Sequence, residues 1–500
     1  MKFLDKLFHL NDHQASLKAE IIGGLVTFIA MCYILPINSA ILSEMGMNQA
    51  GVFAMTALVG CAVTLIMGLV ANYPIVLSAG MGLNAYITYT IALGAGYTWP
   101  QAMILLTLAG IIFFALSLTP VRKWIIEAIP NNIKYIISAA LGAFICFVGL
   151  RNSGLIISGA TLVELGNLAN PAVLIAFLAV VLCFGLMFIK NKTISTLAIP
   201  IAILVAAIAG VVTSSIMISV SGSSVEEFML ANPNLPIAPW LRSDLRFGIT
   251  GVDEVLFFGT LKDSSHFGND LVKVLTTPAS YVAIFSLIFV NLFDTTATLL
   301  AVGRNTGIID ENGKMQNYRK AVLADATGAM ICAPLGTSTV TSFAESNVGV
   351  GLGAKTGLAA VVAALMFLLS AFIYPVFSIF TAGSVTAPAL VCVGAMIFVG
   401  NLKDIDWQDR IVGFTAFLTI IFTLLCYSIA SGIGIGLICY CVMKLCSGKP
   451  KEVPVAIYVV AGLFVVSFAL TALMPYITKS GGGGGENSDS IEAIRIFYNW

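Results

Sequence analysis

Charge is what this chain of 500 residues has least of: Asp, Glu, Lys and Arg make up 10% of it, and the 25 basic and 25 acidic residues cancel. So little charge leaves no basic stripe for nucleic acid, which is excluded as a partner. Only three histidines are present, His9, His13 and His266, all outside the apolar runs, so a proton relay would have to use carboxylates. No nucleophile–base pair or metal-ligand cluster stands out within those runs, which argues against an enzyme and implies no cofactor. The start, MKFLDKLFHLNDHQASLKAE, is amphipathic and charged rather than a cleavable signal. Nine of the ten cysteines lie singly or in one C-x-C inside apolar runs: Cys32, Cys61, Cys146, Cys183, Cys332, Cys392, Cys426, Cys439 and Cys441. They read as small core hydrophobes, not as disulfides or a zinc site.

What is abundant is apolar surface. With 58% hydrophobic residues and a mean hydropathy of +0.97, the chain belongs in a lipid bilayer. Apolar runs that could cross, or tuck in as shorter pieces, cover 20–43, 51–71, 75–93, 100–119, 133–150, 171–189 and 194–217. After a polar gap they resume at 280–303, 319–333, 338–352, 355–380, 385–400, 409–426, 429–445 and 455–474. The domains expected are an amphipathic N-terminus (1–19), a first seven-helix repeat (20–217), an extracytoplasmic loop (218–279), a second seven-helix repeat (280–454), a final hydrophobic helix (455–478) and a flexible tail (479–500). An N-terminus inside the cell places Arg122 and Lys123, Lys190 and Lys192, Arg304, Arg319 and Lys320, Lys355, Lys444, Lys449 and Lys451 on the cytoplasmic side, as the positive-inside rule requires. Arg151 is the exception.

Two segments interrupt the apolar pattern at matching places, NYPIVLSAGMGLNAY at 72–86 and CAPLGTSTVTSFAES at 332–346. Each begins near a proline, runs through small and hydroxyl residues, and ends near one polar side chain, Asn84 or Glu345. Pro74 with Pro334, Asn84 with Glu345, Pro120 with Pro375, and GAFICFVG (142–149) with GAMIFVG (394–400) recur at an offset of about 250 to 260 residues. Seven crossings is an odd number, so the second copy must lie upside down in the bilayer, the inverted-repeat plan of secondary transporters. The fold expected is therefore all-α and polytopic, with about 14 transmembrane helices in a 7+7 inverted repeat. A short extended stretch at about 339–343 should deliver Glu345 to a half-helix start, and IVLSAG should deliver Gly82, Leu83 and Asn84 to another. Backbone N–H groups at such starts are unpaired and favour an anion or a solute carbonyl.

Few ionisable residues lie deep in the runs, where each costs at least ~2.5 kcal/mol unless it faces a cavity or a partner. They are Asp294, Asp325 and Glu345. Asn291, Asp294, Thr295 and Thr298 share one helix face by their i, i+3, i+4, i+7 spacing. Asp325 has small neighbours and suits either bonding to a nearby broken helix or a functional role. One carboxylate, one amide and several backbone N–H groups suit a neutral planar solute with donor and acceptor edges.

These motifs identify a resemblance. ANYPIVLSAGMGLNAYITYTIALGAGYTWPQAM, FVGLRNSGLI, LFDTTATLLAVG, ADATGAMICAPLGTSTVTSFAES, GAKTGLAAVV and TAPALVCVG resemble the azaguanine-like (guanine/hypoxanthine permease) branch of the nucleobase:cation symporter-2 family across most of 15–450. The resemblance implies a core and a gate domain, a purine nucleobase bound between two crossed broken helices, and proton-coupled uptake by an elevator motion in the plasma (inner) membrane. Sodium stays open as the coupling ion, and a homodimer is allowed. It implies substrate contacts from Asn84, Asp294, Glu345 and Asn291, stacking by Tyr86 or Phe343, and proton coupling through Glu345, Asp294 and Asp325. Two positions depart from the family pattern: Asn291 stands where an aspartate usually begins the DLFDT motif, and Ser39 follows Asn38 where a proline is usual. An amide bonds but does not titrate. A uracil/xanthine-type carrier or an anion carrier of the same architecture is the alternative, and Glu345 argues against the anion. The tail KSGGGGGENSDSIEAIRIFYNW lies outside the resemblance, its five glycines reading as a flexible linker.

Overall fold

A computed structural model describes residues 2–119, 130–159, 162–191, 194–195, 197–242, 247–256, 264–306, 317–343 and 345–480. The glycine-rich tail from residue 481 onward falls outside them. The first half runs α1 (Leu17–Ser43), α2 (Gln49–Ala71), strand β1 (Leu77–Ala79), α3 (Met81–Ala85, continued as a wider π-type coil over Tyr86–Gly94), α4 (Trp99–Leu118), α5 (Asn131–Asn152), α6 (Pro171–Met187) and α7 (Ala198–Ser221). A small hairpin of β2 (Ile156–Gly159) and β3 (Leu162–Leu165) joins α5 to α6. The second half runs α8 (Pro278–Thr306), α9 (Tyr318–Ile331), β4 (Val340–Ser342), α10 (Ser346–Gly351), α11 (Gly357–Ser370), α12 (Gly383–Leu402), α13 (Arg410–Leu425) and α14 (Ile429–Cys446). A last helix, α15 (Val455–Ser480), packs on α8 and α14.

Among the described residues seven helices are long and apolar enough to cross a membrane: α1, α2, α4, α5, α7, α12 and α14. In both halves the third position is occupied by a strand followed by a helix. Local chemistry sets these boundaries. Asn72 leaves α2 in the left-handed region (φ 58°), and Pro74, which has no N–H, prevents the helix from resuming at once. Asn170 and Asp409 cap α6 and α13 by accepting from Ala172 N and Ile411 N.

Two expectations need correction, those for 355–380 and for Cys426, and two further segments carry detail that the apolar pattern leaves open. The run 20–43 is interrupted at Cys32 and Tyr33, so α1 consists of two helical pieces. The run 355–380 is not straight: after α11 the chain bends by 95° into Tyr374–Thr381, because Pro375 cannot continue the helical hydrogen bonding. The polar segment after α7 carries short helices and folds back on the molecule, with Asn48 Nδ2 donating to Glu254 (2.8 Å) and Ser384 Oγ donating to Asn234 O (2.6 Å). Cys426, at the end of α13, is exposed rather than in the core. An apolar run marks a span without saying which face meets protein.

Helices α1 to α4 pack with α8 to α11 as one unit, and α5 to α7 with α12 to α14 as another. In the second unit α5 and α12 make the most extensive helix contact of the molecule. The repeated motif explains it: a Cβ on Gly142 would lie 2.5 Å from Phe398 N and 2.7 Å from Gly394 O, and one on Gly394 would lie 2.6 Å from Gly142 O. Each helix offers its glycine to the other's backbone, the close approach that drives helix association in lipid. Gly142→Val should therefore destabilise the protein by about 1–3 kcal/mol. A thermal midpoint in detergent equal to wild type would refute this packing account.

Candidate functional site

The two interrupted segments meet at mid-molecule. β1 and β4 pair antiparallel, with Leu77 opposite Ser342, Ser78 opposite Thr341 and Ala79 opposite Val340. Gly80 N donates to Thr339 O (2.9 Å) and Phe343 N to Val76 O (3.0 Å), which extends the ladder at both ends. The outer edges are also bonded. Thr64 Oγ1 on α2 accepts from Leu77 N and donates to Leu77 O, both at 3.0 Å, and Ser346 Oγ accepts from Val76 N (3.0 Å). Irregular backbone at this depth is tolerable only when its polar groups are matched in this way.

Both strands end at helix starts beside a cavity of about 550 Å³. Gly80, Met81 and Gly82 line it from the first half, Thr341, Ser342, Phe343 and Glu345 from the second. Val290 and Thr298 of α8 line it, as do Leu141 of α5 and Val393 and Ile397 of α12, so the cavity lies between the two helical units. It extends to Ser138, in the first half of α5, and to Met187 and Asn401 at the ends of α6 and α12, on the face that carries the start of α1. A Cβ on Gly82 would fall 2.5 Å from Leu141 Cδ1, so the units touch closely here.

The residues singled out in the sequence are placed as follows. Glu345 lies at the head of α10, on the cavity wall, and its Oε1 accepts from Tyr33 Oη at 2.6 Å. Phe343 is also on the wall. Asn84 is not among the residues of the cavity wall. It is fully buried within the first turn of α3, and its Nδ2 donates to Asn38 Oδ1 (2.9 Å). Asn38 Nδ2 in turn donates to Thr56 Oγ1 (2.8 Å) and Thr337 Oγ1 (3.0 Å). Tyr86 is buried behind the cavity rather than on its wall. Asp325 is fully buried on α9, where Oδ2 accepts from Thr295 (2.8 Å) and Oδ1 from Ser342 (3.3 Å), which ties α8 and β4 together. Asn291 is buried on α8. Asp294 is carried by the same helix, and its side chain lies outside the described residues.

Sequence reasoning missed Tyr33. A tyrosine in an apolar run looks like packing, and only the three-dimensional path of α1 brings it to Glu345. Asn38 was visible as a polar residue in a span, but its partner Asn84 was not.

The permease family matches residues 18–426. The chain belongs to the nucleobase permease family. The permease is 36% identical to the guanine/hypoxanthine permease PbuO of Bacillus subtilis, over 92% of its own length and 99% of that protein's. It is 32% identical to the adenine permease AdeQ of Escherichia coli, over 93% and 96% of the two chains. Its architecture is similar to that of the transmembrane domain of a cyanobacterium bicarbonate transporter, BicA, with a TM-score of 0.55 at 16% identity, covering 83% of the permease and 97% of that chain. The fold is a 7+7 inverted repeat, with the unit of α1–α4 and α8–α11 as the core and the unit of α5–α7 and α12–α14 as the gate, and the molecule is a multi-pass membrane protein.

The amide network generates a prediction. Asn38→Ala would leave the buried Asn84 Nδ2 without its acceptor, while Thr56 and Thr337 keep their bond to each other (2.8 Å). The expected loss is about 1–3 kcal/mol, the cost of one unsatisfied buried group. An unchanged denaturation midpoint in detergent would show that the network does not support the fold.

Proposed function

We propose that this permease imports purine nucleobases, hypoxanthine, guanine and adenine, across the plasma (inner) membrane by proton symport, with the core sliding against the gate. The observation that carries the reading is the cavity at the crossing of β1 and β4, lined among the described residues by the Glu345 carboxylate, the Phe343 ring and two helix starts. A purine base is planar and presents both donors and acceptors at its edge. Glu345 meets a base N–H when ionised and takes the coupling proton, while the N–H groups at the starts of α3 and α10 meet carbonyl or ring acceptors. Phe343 stacks on the ring. The names of the guanine/hypoxanthine and adenine permeases among its relatives support the substrate class.

The remaining roles follow from position. Asp294 and Asn291 are carried by α8, whose Val290 and Thr298 reach the cavity; Asp294 is one helical turn from each. Asp325 supports β4 through Ser342 and is the second proton-coupling candidate beside Asp294. Asn84 and Tyr86 act from behind, holding the start of α3 in place. With an inner N-terminus, the side to which the cavity extends is the cytoplasm.

The test is uptake of labelled adenine, guanine, hypoxanthine, xanthine and uracil in cells lacking their own permeases, with and without a protonophore. Saturable purine uptake that the protonophore abolishes is expected. Absence of saturable purine uptake would overturn the substrate assignment, and uptake indifferent to the protonophore would overturn the coupling alone. Glu345→Gln should abolish accumulation while the protein still reaches the membrane; transport at the wild-type level would remove Glu345 from the site.

A further inference from the structure

Tyr33 occupies an unusual place. It sits at the interruption of α1, between Leu17–Met31 and Ile34–Ser43, and it is 4% exposed. Ala30, one turn earlier, is on the cavity wall, and Asn38, five residues later, holds Asn84. Tyr33 itself stays behind the wall and reaches Glu345 with its phenol at 2.6 Å. That length falls in the range of an O–H donor meeting an ionised oxygen. Among the described residues no other side chain donates to this carboxylate.

We propose that Tyr33 is a positioning residue for proton coupling: its phenol occupies Oε1 of Glu345 and so assigns Oε2 as the oxygen that takes the proton and meets the base. The proposal rests on the proton-coupled import put forward above. The chemistry is local. A phenol has one hydrogen, and here it is already directed at Oε1. An arriving proton therefore goes to Oε2, which turns that oxygen from an acceptor into a donor toward the cavity. Protonation and base recognition then occur at one atom. Without the phenol, either oxygen could take the proton, and the ionised form would lose a hydrogen bond that favours it.

Other titratable groups surround this end of the cavity. Cys32 neighbours Tyr33 on α1, and Cys183 on α6 comes close enough to interact with it electrostatically. Asp325 on α9 is engaged by Thr295 and Ser342. α8 contributes Asp294, whose side chain lies outside the described residues. The cavity-facing residues of α5 and α12, among them Ser138, Leu141, Val393 and Asn401, carry no charge. Among the described residues Tyr33 is thus the immediate determinant of which Glu345 oxygen is free.

The experiment is the pH profile of initial hypoxanthine uptake by wild type, Tyr33→Phe and Tyr33→Gln, each normalised to protein in the membrane. Tyr33→Phe keeps the ring and removes the donor, so the midpoint of the profile should move to higher pH by about one unit, the shift expected when a carboxylate loses one charged hydrogen bond. Tyr33→Gln restores a donor and should bring the midpoint back toward wild type. A purely structural role would lower the rate of both variants without moving either midpoint, and that result overturns the proposal. The same overturning result is a wild-type midpoint in Tyr33→Gln together with an equal one in Tyr33→Phe. If wild type itself shows no protonophore-sensitive uptake, the coupling reading fails rather than the placement of Tyr33.

Discussion

Everything at the centre of this molecule depends on the pairing of β1 with β4. A helix that stops inside a membrane exposes backbone N–H and C=O groups to a medium that cannot bond them, at a cost of several kcal/mol each. Two such interruptions, one from each half, satisfy each other along a ladder of three residue pairs extended by Gly80 and Phe343. The flanks are taken up by Thr64 and Ser346, and Asp325 anchors Ser342 from behind. Neither interruption could exist alone. Their mutual pairing creates two helix starts beside one cavity, and the placement of Glu345 and Gly82 on its wall follows from it.

The backbone is nearly symmetric at this crossing and the side chains are not. α1 serves both helix starts: Tyr33 holds the carboxylate of the second half, and Asn38 holds the amide of the first. The carboxylate is on the cavity wall, whereas the amide is buried and bonded through its Nδ2 to Asn38, which in turn bonds Thr56 and Thr337. An inverted repeat built from identical halves would put equivalent groups on either side of a solute. Here one half supplies the carboxylate on the wall and the other a buried amide, and α1 links them through Tyr33 and Asn38.

Much of this was legible in the chain. Pro74 and Pro334 mark the interruptions because proline cannot donate, and the β-branched, hydroxyl-rich VTS at 340–342 fits a buried strand better than a lipid-facing helix. GAFICFVG and GAMIFVG announced a repeated helix, and their glycines proved to be the contact between its two copies. What was not legible is who bonds whom. Asn84 and Glu345 correspond in the repeat, yet each is bonded by a residue of α1, Asn38 and Tyr33, and nothing in the apolar run 20–43 marks those pairings. The bend after α11 was hidden for a different reason: the run 355–380 is apolar throughout, so hydropathy stays flat while Pro375 turns the chain.

At the face opposite the start of α1, Glu44 accepts from Tyr89 (2.8 Å) and from Asn152 (3.4 Å), joining the end of α1 in the core to the end of α5 in the gate. Tyr427, in the left-handed region at φ 48°, packs its ring against Tyr89 of the core and Phe144 of the gate, and Arg151 lies 4.9 Å above it. A second cavity of about 430 Å³ lies on that side, lined by Glu44, Asn152 and Asn234 among others, and it shares no lining residue with the central one. The polar and aromatic contacts around Glu44 and Tyr427 thus join the two helical units on the side of the second cavity, away from the Glu345 wall. Because these contacts join the same two units that form the central cavity, a movement that separates them must also reshape the walls around Glu345.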